Sequence, residues 1–414
     1  MGFDLFSKDS TLTLVLRIIG ATLLFVVILL ALAATIVPRF LDRRYYEGPP
    51  SGHFDGERFF NPDGDADTAG IPGGGGRMAF IWRQLTGSDG RPEWPTSVPV
   101  TPSKPAARVA GEEMVATWIG HATVLIQTQG MNILTDPIYA ETAGPFGFGP
   151  RRVTKPGIAF DDLPPIDVVL LSHNHYDHLD LAMLKRLWAR DRPTIVTSLG
   201  NDAILRANGV EAQAADWGEG LPVSPRAGGM FEVTVTRNHH WGSRWGTDRN
   251  RALWSSFVVR LPGGNLFFAG DTGWGDGQWP AEAAKLGPIR LALIPIGAFR
   301  FVPGQMRSGS HIGPAQAVDV FRASGAATAI PIHWGTFRLS YEGYYTPPRM
   351  LDAAMRCSGM TNERPATRFA AVAIGRAVQV PAMPADPPPP ALTPQRSGAD
   401  LLRCLDMPEV RALR

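Results

Sequence analysis

The sequence predicts an α/β or α+β enzyme domain behind one long apolar helix, and three observations carry that reading. Short apolar runs alternate with amphipathic segments across residues 111–378. Several of those runs end in a histidine or an aspartate. Residues 18–37 form a run of 20 without a charge, rich in Leu, Val, Ile and Ala. At 414 residues the chain is long enough to bury one large core with appendages.

Residues 1–44 comprise the apolar helix and its flanks. Twenty helical residues cross about 30 Å of hydrocarbon, so a single-pass anchor in the cell membrane is expected. A cleaved signal peptide competes, because Ala31-Leu32-Ala33 offers a small-x-small site; its apolar part would exceed the usual ~7–15 residues. Lys8 and Arg17 precede the run and Arg39, Arg43 and Arg44 follow it, which leaves the side of the catalytic domain open. Met1-Gly2 begins like a myristoylation signal, but Phe6 stands where Ser or Thr belongs.

Residues 45–110 read as an irregular Pro/Gly-rich lead-in, broken at 73–76. Its Phe80, Ile81, Trp82 and Trp94 are expected to pack on the core, with a membrane-facing or dimer-forming role as the competing reading. Within 111–378, the runs 115–119, 124–127, 133–135 and 168–171 read as strands. A helix over 179–190 follows, with Leu181, Leu184, Leu187 and Trp188 on one face. Strands are expected at 231–237, 257–260, 266–269, 291–295 and 329–332. Pro314–Ala323 reads as a helix started by proline. Residues 379–414 form a tail, proline-dense over 381–394, with a short helix expected around Leu401, Leu402, Leu405 and Val410.

The chemistry concentrates at strand ends. His173-x-His175-x-Asp177-His178 directly follows the run 168–171, and such a cluster of nitrogen and oxygen donors suits zinc. His173 and His175 can share one ion while Asp177 and His178 reach a second. Two ions at roughly 3.5–4 Å can hold a bridging hydroxide and clamp the oxygens of a displacement. Completing both sites needs donors from elsewhere, and the chain offers them: Asn238-His239-His240-Trp241, Gly270-Asp271-Thr272-Gly273 and Ile332-His333-Trp334 each close an apolar run.

These ordered motifs resemble the metallo-β-lactamase superfamily. Trp118-Ile119-Gly120-His121-Ala122-Thr123, Thr135-Asp136-Pro137, the metal loop, His240-Trp241, Gly270-Asp271-Thr272-Gly273 and Ile332-His333-Trp334-Gly335-Thr336-Phe337 are similar to the N-acyl-phosphatidylethanolamine-hydrolysing phospholipase D family. His53-Phe54-Asp55-Gly56-Glu57-Arg58-Phe59-Phe60-Asn61-Pro62 looks like its bacterial members. The resemblance spans residues 53–355 and implies an αββα sandwich of α+β class. It implies two Zn²⁺ per chain: His173, His175 and His240 on one, Asp177, His178 and His333 on the other, and Asp271 bridging. His239 competes with His240, which the His-Trp match favours. His311 matches a family histidine near the substrate. His121 and Asp136 look like groups that orient ligands, a satisfied buried histidine being the competing reading for His121.

Forty basic against 38 acidic residues give a net charge of +2, which argues against a nucleic-acid enzyme relying on a broad basic surface. Only two cysteines occur, Cys357 and Cys404, so no disulfide scaffold or thiolate zinc site is implied. They can pair in an oxidising compartment or stay free. The resemblance together with the apolar run implies a membrane-anchored zinc phosphodiesterase acting on a bilayer phospholipid. Asp177, Asp271 and His311 would serve catalysis, and His311 would orient substrate or protonate the leaving oxygen. Arg244 would add a bidentate phosphate contact, with free solvent exposure as the competing reading. Trp241, Trp245, Trp274 and Trp279, with Trp82 and Trp94, would contact the interface or acyl chains, packing on the core being the competing reading for several of them. The resemblance implies cleavage to phosphatidate and N-acylethanolamine. A lactonase or sugar-phosphate hydrolase acting on a soluble substrate, a nuclease, and a non-catalytic metal-binding scaffold are the rivals. Lipid preference, oligomeric state (a homodimer included) and the metal used in the cell are not written in the sequence.

Overall fold

The computed structural model describes residues 5–65, 82, 86, 91–301, 305–360 and 369–390. The Leu/Val/Ala-rich segment forms one helix, α1 (Leu5–Leu41), longer than the uncharged run because helix propagation into flanking residues costs little once a turn exists. From residue 12 to 37 its apolar side chains are exposed, and none of its most apolar window is buried.

Two sheets follow. The first comprises β1 (Met114–Gly120), β2 (Thr123–Thr128), β3 (Met131–Thr135), β4 (Val168–Leu171), β5 (Thr194–Ser198), β6 (Gln213–Ala215) and, from the far end of the described chain, β13 (Ala377–Val380). Their order is β13-β1-β2-β3-β4-β5-β6. The second is β12-β11-β10-β9-β8-β7, built from β7 (Gly220–Val223), β8 (Phe231–Thr236), β9 (Ser256–Arg260), β10 (Asn265–Phe268), β11 (Ile289–Pro295) and β12 (Thr328–Ile332). Helices α2 (Leu181–Asp191) and α3 (Asn201–Arg206) cover the first sheet. Helices α4 (Trp279–Ala284), α5 (Pro314–Ala323) and α6 (Thr346–Cys357) cover the second. This is the four-layer sandwich expected.

Alternation along the strands builds the layers. Val168 and Leu170 point between the sheets while Val169 and Leu171 point at α2 and α3; Leu266 and Phe268 likewise face inward while Phe267 meets Trp279 of α4. With both faces covered, these strands read as continuous apolar runs rather than as a polar–apolar alternation.

Topology fixes where the functional residues go. Strands β1, β3 and β4 run in one direction, as do β8, β10, β11 and β12 in the other sheet. Their C-terminal ends gather at one edge of the sandwich, and the residues that follow them converge there.

Lead-in and helix boundaries differ in detail from expectation. Phe54 and Phe59 are buried with Leu253 and Trp254, and Trp94 Nε1 donates to the Glu342 carbonyl at 2.9 Å, whereas Trp82 is exposed. Helix α2 starts at Leu181 because the Asp180 side chain caps it, accepting from Met183 N at 3.0 Å. Trp279 is fully buried under the second sheet, which bears out packing rather than interface contact for that residue, while Trp274 is half-buried beside it. Cys357 is disulfide-bonded. Residues 73–76, Phe80, Ile81, Cys404 and the helix expected around Leu401, Leu402, Leu405 and Val410 lie outside the described residues.

Candidate metal centre

Each candidate donor sits just past a strand. His121 follows β1, Asp136 follows β3, His173 to His178 follow β4, His240 follows β8, Asp271 follows β10 and His333 follows β12. The ends of β4 and β10 pack closely enough that a Cβ on Gly270 would lie 2.9 Å from Ser172 Cβ; with φ +62°, that position requires glycine. His121 and His333 also take left-handed backbone, φ 53° and 62°, and the His333 N–H donates to the His121 carbonyl at 3.0 Å. Strain of this kind gathers at sites whose geometry the surroundings over-determine.

Three imidazoles form the first group. His173 Nε2 lies 2.8 Å from His175 Nδ1, and His240 Nε2 lies 3.4 Å from it. His240 Nδ1 donates to the Ser310 carbonyl at 2.9 Å and His173 Nδ1 meets Ser172 Oγ at 2.8 Å, so both Nε2 lone pairs point inward. Burial holds His173 and His240 well below the ordinary imidazole value and His175 down to about 3. All three are then neutral, the form that binds metal. Trp241 packs edge-on against His175, with ring centroids 4.2 Å apart.

The second group is carboxylate-rich. His178 Nε2 lies 3.0 Å from Asp271 Oδ2 and 3.5 Å from Asp177 Oδ2; His333 Nε2 lies 2.9 Å and 3.5 Å from the same two atoms. Burial alone would raise both carboxyls, but the neighbouring imidazoles, His178 foremost, hold them well below the carboxylate range. Burial likewise opposes charge on the imidazoles, yet Asp271 and Asp177 outweigh it, pushing His178 well above its ordinary value and His333 up to about 9. The group therefore demands positive charge. A divalent ion supplies more of it than two protons do, and must displace them, so metal affinity should rise with pH.

The donor set fits such ions. Two ligands about 2.0–2.2 Å from a tetrahedral zinc stand about 3.3–3.5 Å apart, close to the separations in both groups. His178 Nε2 and His333 Nε2 face Asp271 Oδ2 without hydrogen-bond geometry, and Asp271 Oδ1 is buried with no partner, a costly arrangement unless a cation satisfies the set. Asp271 also offers an oxygen within 4.8 Å of ring nitrogens of His240 and His311, so it spans the two groups. His239 turns away: its Nδ1 meets Asp63 Oδ2 at 3.0 Å.

Supporting groups complete the site. Asp136 is fully buried and accepts from Ser172 N (2.8 Å) and Ser172 Oγ (2.6 Å), while its Oδ2 lies 2.6 Å from His178 Nδ1. His121 Nε2 lies 2.9 Å from Asp177 Oδ2, and its ring packs tilted against His333 with centroids 4.2 Å apart. Asp136→Ala should weaken metal binding about 10–100-fold, because His178 loses the partner that fixes its tautomer. Competition with a chromophoric chelator measures this; an unchanged affinity would remove Asp136 from the site.

His311 lies beside both groups, its Nδ1 3.8 Å from Asp271 Oδ2. Arg244 is spent differently from the expected phosphate contact. Its Nη1 donates to the carbonyls of Asn174 (3.2 Å) and Leu179 (2.8 Å), and its guanidinium lies 3.7 Å above the Tyr176 ring. It braces the metal loop, because those carbonyls end no helix or strand that would satisfy them. Asn61 and Asp63 went unforeseen: Asn61 Nδ2 donates to the His240 carbonyl at 2.9 Å across 179 residues, a contact with no local signal. An apolar cavity of about 520 Å³ lined by Trp118, Trp334, Tyr344 and Ile374 contains none of the donors.

Comparison with known proteins gives the family and the fold. The family model for the beta-lactamase superfamily domain matches residues 131–334. The chain is 32% identical over 310 residues to N-acyl-phosphatidylethanolamine-hydrolyzing phospholipase D 1 of Caenorhabditis elegans, covering 71% of this chain and 85% of that protein. It is 30% identical over 246 residues to the mitochondrial N-acyl-phosphatidylethanolamine-hydrolyzing phospholipase D of Saccharomyces cerevisiae, covering 59% of this chain and 52% of that one. In fold it is similar to the crystal structure of a possible metal-dependent hydrolase from Veillonella parvula, with a TM-score of 0.50, 13% identity, and coverage of 65% of this chain and 100% of that one.

Proposed function

The chain belongs to the metallo-β-lactamase superfamily, in the family of N-acyl-phosphatidylethanolamine-hydrolysing phospholipases D, and from that premise we propose that it is a membrane-anchored dinuclear zinc phosphodiesterase. It is a metal-dependent hydrolase of this fold. The finer reading gives it N-acyl-phosphatidylethanolamine-type lipids as substrate, and phosphatidate with N-acylethanolamine as products. The observation that carries it is the pair of donor groups joined through Asp271.

Zinc ions held there would supply Lewis acidity, making water nucleophilic near neutral pH and offsetting charge on phosphoryl oxygens. His173, His175, His240 and, across Asp271, Asp177, His178 and His333 would hold them. Asp136 keeps Nδ1 of His178 engaged so that Nε2 faces inward, and His121 does the corresponding service for Asp177. Burial lowers His311 to about 4, so at neutral pH it carries one ring proton and no charge. That favours a role in orienting the phosphate by hydrogen bonding over one as general acid. The exposed apolar length of α1 supports membrane anchoring, since a helix of that composition in water would expose more apolar surface than soluble monomers tolerate.

N-acyl-phosphatidylethanolamine presented in vesicles should yield phosphatidate and N-acylethanolamine, and a chelator should abolish the reaction. In heavy-oxygen water the label should appear in phosphatidate, since attack is at phosphorus. Label in the released N-acylethanolamine, or turnover confined to soluble lactones or sugar phosphates, would overturn the assignment.

A further inference from the structure

Two aromatic side chains stand out on the catalytic domain: Phe146 is 82% exposed and Phe148 73%. They belong to the loop Gly144-Pro145-Phe146-Gly147-Phe148-Gly149. Its base is stapled by the bridge between Thr142 and Arg151 and by the Ala143 N–H donating to the Pro150 carbonyl at 3.0 Å. Inside the loop the Phe148 N–H donates to the Pro145 carbonyl at 2.9 Å. Two phenyl rings on one closed loop in water are an unfavourable use of surface unless something apolar covers them.

The location says what covers them. The Phe146 ring lies 5.9 Å from Trp245, and Trp245 lies 6.3 Å from Tyr176, which sits between His175 and Asp177. The patch therefore borders the metal loop. The turn carrying Trp245 also holds the exit of α1. Asp248 accepts from Trp245 N at 2.8 Å and from the Tyr45 hydroxyl at 2.9 Å. Asp42 pairs with Arg251 at 2.8 Å and with Arg58 at 2.7 Å. Tyr45 is only four positions beyond the end of α1 at Leu41, a reach of at most about 14 Å. With α1 in a bilayer, this turn is held at the bilayer surface. Arg39, Arg43 and Arg44 add positive charge there, suited to anionic headgroups.

We propose that loop 144–149 is a second membrane attachment, inserting Phe146 and Phe148 into the lipid interface beside the metal centre. The domain is then held by two points, the helix and the loop, with the metal loop facing the layer that contains the substrate. The proposal rests on the membrane reading of α1 and deepens the lipid reading of the site.

The test uses the full-length protein in nanodiscs of phosphatidylcholine and phosphatidylglycerol. Phe146→Cys carries an environment-sensitive fluorophore, and Glu112→Cys, preceding β1 at the opposite edge, serves as control. The label at 146 should shift to the blue and be quenched by lipids brominated high on the acyl chain; the label at 112 should not. Phe146→Ser with Phe148→Ser should lower turnover of vesicle substrate about tenfold and leave turnover of detergent-dispersed substrate unchanged. A label at 146 that brominated lipid does not quench overturns the proposal. So does a shift that follows protein concentration without lipid, which would mean a second copy covers the loop. Quenching at 146 in a protein inactive on every phospholipid would uphold the attachment and defeat the proposed reaction instead.

Discussion

Asp271→Ala should strip the protein of metal and lower hydrolysis by about 10³-fold or more. Asp271 Oδ2 is within 3.0 Å of both His178 Nε2 and His333 Nε2, and the same carboxylate reaches the His240 and His311 side, so both donor groups lose a member in one substitution. Metal ions supply several kcal/mol of transition-state charge stabilisation, and each ~1.4 kcal/mol is a tenfold change in rate. The fold should survive. Without metal, the variant removes a buried carboxylate, and His178 and His333 then need no longer be protonated. Elemental analysis should find about two equivalents of zinc or a substitute in the parent and less than one in the variant, with unchanged far-ultraviolet circular dichroism. A parent protein fully active with one equivalent, or a variant with full metal and normal turnover, would sink the dinuclear assignment.

Much of this site was legible because chemistry followed apolar runs. A run such as 168–171 must end where its backbone leaves the sheet, and parallel strands bring such ends to one edge. The donors His173, His240, Asp271 and His333 thus announced their convergence before any coordinates. The elements that went unread lack that signal. Strand β13 is only four residues, and its place beside β1 is set by the pairing of Met114 with Val380, a contact no local pattern encodes. Helix α6 opens on Thr346, Pro347 and Pro348, and a proline pair gives no local sign of a helix although proline is well tolerated in a first helical turn. Its buried face of Met350, Leu351, Ala354 and Met355 follows behind them. Arg244 looked free because the Tyr176 ring beneath it is 68 residues away in sequence, and charge on a loop carries no hint of a distant aromatic partner. Asn61 and Asp63 brace His240 and His239 across 179 and 176 residues. Site composition is a local property, whereas bracing depends on the whole fold.

Placing arginines in α1 should release the protein from membranes without touching the chemistry. Leu24→Arg with Ile28→Arg puts two charges on one face near the middle of the uncharged run. On the insertion scale a leucine or isoleucine at a helix centre contributes about −0.3 to −0.6 kcal/mol and an arginine costs about +2.5 to +3.5. The pair therefore costs about 6–8 kcal/mol, enough for a 10⁴-fold shift in partition. The parent should stay with membranes through carbonate extraction, the double variant should move to the supernatant, and Leu24→Ala with Ile28→Ala should behave like the parent. Because residues 12–37 of α1 are exposed and the ties to the domain at Asp42 and Tyr45 come just after the helix, turnover of detergent-dispersed substrate should persist in the released protein. Turnover of vesicle substrate should fall, since confinement at the bilayer is what keeps enzyme and lipid at high effective concentration. A double variant that pellets like the parent would show that another attachment suffices. A soluble parent whose mature chain starts near Ala34 would make residues 18–37 a signal peptide, and the anchor reading would fall with it.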